Sequence, residues 1–201
     1  MTVADVGVAE PLIVLASASP RRAALLRQIG VAHRVVPAEL DERRLPGEAA
    51  EQCVLRLAES KARLVQAALG SALPVLGADT AVLIDGQMLG KPADRAAGLG
   101  MLAQLSGRTH DVLCAVALAA GNGVRSALSR SQVRLRDLTA AECAAYWDSG
   151  EPADKAGGYA IQGRGAVFVE ELRGSYSAVM GLPLFETAAL LAGAGVSIWR
   201  S

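Results

Sequence analysis

Leu12-Ile13-Val14-Leu15-Ala16-Ser17-Ala18-Ser19-Pro20-Arg21-Arg22 is the stretch on which the reading of the chain turns. The run Leu12 to Ala16 is too short for a buried helix and is rich in branched residues, so it predicts a central strand. Pro20 suits a first helical turn, where its missing N–H costs no intrahelical bond, and Gly30 offers a stop. The stretch therefore reads as strand, tight turn and helix. A turn of small hydroxyl residues at a helix start leaves backbone N–H groups at the positive end of the dipole, here with two guanidinium forks beside them. These are the parts of a phosphate site, and equally the parts of an ordinary N-cap with two solvated arginines.

The totals narrow the classes. A chain of 201 residues is one medium domain or two small ones, with enough length for a real core. Lys plus Arg is 20 and Asp plus Glu is 20, which argues against a broad electrostatic nucleic-acid surface and leaves room for a local basic pocket. Aromatic residues make up 3%, too few for single-strand stacking platforms. Cys53, Cys114 and Cys143 lie in apolar contexts without metal-type or disulfide-type spacing, so they read as buried free thiols in a reducing cytoplasm. His33 and His110 share no metal spacing either. Ala16-Ser17-Ala18 imitates a signal-peptidase site, but Asp5 and Glu10 precede it with no Lys or Arg, and the apolar core is short. No run reaches membrane-span length, and the expectation is a soluble cytoplasmic protein that binds no membrane.

Working outward, Val31 to Val36 reads as a short strand, and residues 38–47 as a polar loop. Apolar residues from Cys53 to Leu69 recur at helical spacing up to Gly70, with Lys61 on or beside the stripe, where snorkelling is its ordinary role. Pro74 to Ile84 reads as a buried strand turning at Asp85-Gly86 into Met88-Leu89. Asp79 interrupts that strand, and a carboxylate so placed demands a cation, a metal or a water. Ala93 to Leu105 follows as a helix, then the strands Val112 to Ala119 and Val124 to Leu138, the second antiparallel and near an edge. Thr139-Ala140-Ala141-Glu142 is a capping box opening a helix to Ser149. Residues 151–163 are too rich in glycine for regular structure and too charged for a mere connector. Ala166 to Leu172 reads as a strand. Gly174 to Pro183 turns into a last helix, and Val196 to Trp199 closes as a strand. The mixture predicts one α/β domain with a mixed sheet.

Taken in order, the stretches Ser17-Ala18-Ser19-Pro20-Arg21-Arg22, Gly77-Ala78-Asp79-Thr80, Gly90-Lys91-Pro92, Ser106-Gly107-Arg108-Thr109-His110, Glu151-Pro152-Ala153-Asp154-Lys155-Ala156-Gly157, Ile161-Gln162-Gly163 and Gly174-Ser175-Tyr176 with Gly181-Leu182-Pro183 resemble the Maf family of nucleoside triphosphate pyrophosphatases. The resemblance runs from about residue 12 to the C-terminus. It implies a single elongated Maf/ITPase-like α/β domain over residues 12–201, with a mixed, twisted sheet flanked by helices and a central cleft, and residues 1–11 as a flexible extension. It also implies hydrolysis of a nucleoside triphosphate to the monophosphate and pyrophosphate with Mg²⁺ or Mn²⁺. Arg-Arg after the proline and Ile-Gln-Gly downstream are similar to the branch acting on dTTP and UTP, with CTP and modified pyrimidine nucleotides as further candidates for a house-cleaning role. Ala178 stands where many members carry Asn.

By this resemblance Asp79 is the proton acceptor or a metal ligand, the sequence leaving both open. Ser17, Ser19, Arg22, Lys61 and Lys91 face the phosphates, and Arg21, Thr80 and Gln162 choose the base. A uracil or thymine edge presents acceptor, donor, acceptor, which a glutamine amide can meet. Glu42 and Asp41 are candidate metal or water ligands, because Mg²⁺ favours carboxylates with phosphate oxygens; a solvated loop pair is the plain alternative. The competing function is a cell-division (septum) regulator that binds protein or nucleotide without catalysis, which would not need Asp79, Lys61 and Lys91 together. The last helix and the strand Val124 to Leu138 offer a homodimer face.

Overall fold

The computed structural model describes residues 10–70 and 72–199. The greater part of the expected extension, residues 1–9, lies outside the described residues. A seven-stranded mixed sheet organises the fold, in the order β2-β1-β3-β5-β6-β7, with β4 also paired to β3. Its strands are β1 (Ile13–Leu15), β2 (His33–Val35), β3 (Val75–Ile84), β4 (Gln87–Leu89), β5 (Thr109–Ala120), β6 (Gly123–Leu135) and β7 (Val169–Arg173). β1 pairs parallel with β2 and β3, and every other pairing is antiparallel. The helices are α1 (Pro20–Gln28), α2 (Ala50–Leu69), α3 (Arg95–Leu105), α4 (Ala140–Asp148), α5 (Tyr176–Met180) and α6 (Leu184–Ala192).

Alternation along the strands sends successive side chains into opposite layers. Ile13, Leu15, Leu76, Ala78, Val116 and Leu118 pack with α1 and α6, whereas Val14, Val75, Ala115, Ala117 and Ala119 pack with α2. A third cluster, with Leu102, Leu105, Tyr146 and Phe168, joins α3 and α4 to the far end of the sheet. Gly77 sets the distance between α2 and β3: a Cβ there would sit 2.2 Å from the Ala58 carbonyl oxygen and 2.8 Å from the Ala62 nitrogen. Only glycine admits so close a helix.

One gap in the ladder positions everything that follows. β1 accompanies β3 only as far as Leu76, and β4 takes up the same edge again at Val82. β5 occupies the opposite edge of β3 without interruption from Val75 to Leu83. Residues 77–81 therefore have a strand partner on one side only, and a crevice opens beyond the carboxyl end of β1, the kind of place where open α/β sheets bind ligands.

Most expected elements form close to their expected bounds. The Asp85-Gly86 turn has φ of 51° and 75°, which fits the twist of a two-residue hairpin. Val196 to Trp199 is not a strand: the segment is irregular, and Val196 and Ile198 bury against the α1 layer without a ladder. Ala166 to Leu172 splits into a 3₁₀ turn, Arg164–Phe168, and the strand β7. Residues 151–158 contain short 3₁₀ turns, and the connection before the last helix contains α5. β6 lies one strand in from the edge formed by β7.

Candidate active site

A cavity of about 640 Å³ occupies the crevice, and its lining contains Ser17, Ser19, Arg21, Arg22, Glu42, Lys61, Asp79, Thr80, Lys91 and Gln162. Every residue marked out for the phosphates, the base or the chemistry thus reaches one space. Their origins differ. The serines come from the β1–α1 turn and the arginines from the first turn of α1, Lys61 from α2, Asp79 and Thr80 from the half-paired run of β3, and Lys91 from the segment after β4.

Lys61 and Asp79 form the floor. Both are nearly buried, at 6% and 7% exposure, with Lys61 Nζ 2.7 Å from Asp79 Oδ1. The same ammonium lies 2.7 Å from Glu42 Oε1, so one cation joins two carboxylates. Burial raises the Asp79 carboxyl above its ordinary range, although the charge and hydrogen bond of Lys61 and the charge of Arg22 oppose it. Burial also pushes on Glu42, but there the Lys61 hydrogen bond and charge, with Lys91 and Arg22, win and hold the carboxyl low. Two neighbouring carboxylates are thereby driven apart, the pattern of sites that divide acid and base work. Lys61 does not snorkel: the depth set by Gly77 carries it inward.

Arg22 is locked in place. Its Nε donates to the Gly181 carbonyl (2.8 Å), Nη1 to Ser17 Oγ (3.1 Å) and Nη2 to Thr80 Oγ1 (3.3 Å). Ser17 Oγ also accepts from the Ser19 N–H at 3.2 Å, and Ser19 caps α1 through its oxygen and the Arg22 N–H at 3.5 Å. Both serines therefore shape the turn as well as lining the cavity. Arg21 diverges from its neighbour and pairs with Asp154 across the opening at 3.1 Å, as the roughly 100° step between adjacent helical residues requires.

Two expectations change. Asp41 is outside the cavity lining and is held by Arg43, with Oδ2 at 2.6 Å from Nη2, which keeps its carboxyl down at about 2. Glu42 is the loop acid that turns inward. Thr80 Oγ1 is engaged by Arg22 and lies 3.2 Å from Cys114 Sγ, so it braces the arginine whatever it does for a base. Sequence reasoning missed the Gly181 carbonyl as an acceptor, and missed Tyr159, which lines the cavity with its hydroxyl 2.8 Å from His110 Nε2. The partner of Arg22 Nε is a backbone atom, which residue identity does not announce.

The donor set offers a divalent ion of the magnesium type two carboxylates, both also held by Lys61. Among the described residues no group of three His, Cys, Asp or Glu could hold a metal. Glu42 and Asp79 do place two hard oxygen ligands around Lys61, and Mg²⁺ commonly takes one or two carboxylates and completes its shell with phosphate oxygens and water. No described helix is long and apolar enough to cross a membrane.

The model of the Maf-like protein family matches residues 12–194. Similar proteins include the dTTP/UTP pyrophosphatase of Methylobacillus flagellatus, 51% identical over 187 residues and covering 92% of this chain and 94% of that one. The dTTP/UTP pyrophosphatase of Bordetella parapertussis is 53% identical over 196 residues, covering 94% and 95%. That of Methylococcus capsulatus is 53% identical over 188 residues, covering 94% and 93%. Among solved structures, a nucleoside-triphosphatase (dITP/XTP pyrophosphatase) of Mycobacterium abscessus aligns with a TM-score of 0.42 at 18% identity, over 91% of this chain and 95% of that one.

Proposed function

The chain belongs to the Maf family, and on that premise we propose that it is a nucleoside triphosphate pyrophosphatase cleaving dTTP and UTP between the α and β phosphorus atoms. The observation that carries this reading is the floor of the cleft: a buried carboxylate of raised pKa, 2.7 Å from an ammonium and in the same cavity as Arg22 and Lys91. A triphosphate brings several negative charges, and its cleavage is governed by positioning and by charge stabilisation. Arg22, rigid through its protein contacts, and Lys61 and Lys91 supply fixed positive charge where the leaving pyrophosphate accumulates negative charge. The N-terminus of α1 adds its dipole.

Asp79 acts on the water. As the water oxygen bonds to the α phosphorus, Asp79 takes its proton, the bond from the α phosphorus to the bridging oxygen breaks, and pyrophosphate leaves with the electron pair. A carboxylate raised by burial is a better base than a solvated one, and the charge and hydrogen bond of Lys61 limit that rise. Glu42 and Asp79 are the residues that would hold a divalent ion. Such an ion, when bound, supplies Lewis-acid charge to phosphate oxygens and acidifies water.

At the other end, Gln162 meets the acceptor and donor of a uracil or thymine edge, and Arg21, steadied by Asp154, flanks it. The relatives named as dTTP/UTP pyrophosphatases support this choice of base. Three buried free cysteines support a reducing cytoplasm as its place of work. The test is pyrophosphate release from a panel of triphosphates with Mg²⁺ or Mn²⁺. The wild type should favour dTTP and UTP. Asp79→Asn should lower the rate by roughly 10²-fold to 10⁴-fold, the range of a positioned general base. Unchanged release by Asp79→Asn would defeat the assignment.

A further inference from the structure

The loop that carries Gln162 is held by two residues outside the cavity, and we propose that Glu151, acting with Tyr146, is the positioning residue for base selection. The inference rests on the function proposed above only for what Gln162 reads; the clamp itself stands on geometry. Ala160, Ile161 and Gln162 line the cavity, whereas Glu151 and Tyr146 do not.

On one side of Gln162, the Ala160 N–H donates to the Tyr146 hydroxyl oxygen at 3.0 Å. On the other, the Arg164 N–H donates to Glu151 Oε2 at 2.9 Å and the Gly165 N–H to Glu151 Oε1 at 3.1 Å. The Tyr146 hydroxyl closes the arrangement by donating to Glu151 Oε1 at 2.7 Å. One carboxylate and one phenol thus take backbone donors before and after Gln162. Burial, then the bond to Glu151, raises the Tyr146 phenol, so it remains a donor across the ordinary pH range. Its ring is fixed edge-on to Phe168, with centroids 5.0 Å apart.

The glycines show how tightly the loop is drawn in. A Cβ on Gly163 would lie 2.3 Å from Glu151 Oε2, and one on Gly165 would lie 2.7 Å from the Tyr146 hydroxyl. The Gln-Gly-Arg-Gly spacing therefore belongs to the clamp, and it places the Gln162 amide from a carboxylate that never touches the nucleotide. A carboxylate has acceptor positions for all three donors, but an amide offers one oxygen and turns an NH₂ toward the rest.

Glu151→Gln and Tyr146→Phe test this. Each charge-assisted hydrogen bond lost is worth about tenfold. By amide hydrogen exchange with no nucleotide present, a peptide spanning residues 160–165 should exchange about tenfold faster in Glu151→Gln, and by a smaller factor in Tyr146→Phe. Unchanged protection in folded protein overturns the clamp. The second measurement is kcat/KM for dTTP against dCTP, whose edge reverses the donor and acceptor. The ratio should fall about tenfold in Glu151→Gln, mainly through a higher KM for dTTP with kcat nearly unchanged. Equal losses on both nucleotides, or a wild-type ratio near one, overturn the selectivity role. No pyrophosphate release by the wild type from any triphosphate overturns the proposed function and leaves the exchange result to decide the clamp.

Discussion

Arg22 Nε, Nη1 and Nη2 each donate to a protein oxygen, at 2.8, 3.1 and 3.3 Å, and those oxygens come from three separated parts of the chain. A planar fork can meet three such acceptors at once; an ammonium on a flexible stem cannot hold that geometry. Arg22→Lys keeps the charge and should still lower kcat/KM for dTTP by roughly a hundredfold, the effect of about two charge-assisted hydrogen bonds. Steady-state pyrophosphate release measures it, and activity within a few-fold of wild type would mean that charge alone suffices. At this scale the motifs made most of the cleft legible, because charged residue types announce themselves. What stayed hidden was the choice among equals. Asp41 and Glu42 are adjacent acids in one polar loop, and the contacts with Arg43 and Lys61, not residue type, send one outward and the other inward. Glu151 stayed hidden for a related reason: its partners are backbone N–H groups, identical at every position.

α2 and β3 meet through Gly77, and that contact sets the depth of Lys61 as well as the stability of the pair. Ala58, whose carbonyl oxygen would be 2.2 Å from an added Cβ, lies on the same helix face as Lys61 one turn earlier. Backbone cannot yield as a side-chain tip would, so Gly77→Ala should cost about 3 kcal/mol, at the upper end of overpacking penalties. A lower urea midpoint with unchanged slope would register this. Pyrophosphate release by the fraction still folded should fall too, as Lys61 is pushed away from Asp79; full activity per folded molecule would separate the helix contact from the site. The elements themselves were largely legible from periodicity and punctuation. Val196 to Trp199 misled because apolar content signals burial, and an irregular tail can bury Val196 and Ile198 without joining a sheet. The gap along the β3 edge has no local signature at all. It arises because β1 is short and β4 returns late, a relation between elements far apart in sequence.

For the molecule as a whole, a buried histidine couples pH to the fold. His110 on β5 is 3% exposed, its Nε2 is 2.8 Å from the Tyr159 hydroxyl, and its Nδ1 is buried with no hydrogen-bond partner. Burial depresses its pKa from 6.5 to about 4, with only the charge of Asp111 acting the other way. The unfolded chain therefore binds the proton first, so this residue's contribution is complete above about 6.5 and is lost as the pH falls toward about 4. Between pH 7 and pH 5 the loss from this residue should be about 2 kcal/mol, taking 1.36 kcal/mol for each tenfold change in proton affinity. The carboxylates held near 2, such as Glu48 and Glu142, surrender their stabilisation only as the pH falls through the carboxylate range below that window, so they do not blur the measurement. Urea denaturation at the two pH values reads it as a difference: the wild type should lose about 2 kcal/mol more than His110→Gln, since Asp79, whose carboxyl burial raises, responds alike in both. If both proteins weaken equally, the imidazole is not the group responsible. Because Tyr159 lines the cleft, the same protonation loosens a wall of the site as it weakens the fold, so nucleotide hydrolysis should decline over the pH range in which the sheet gives way.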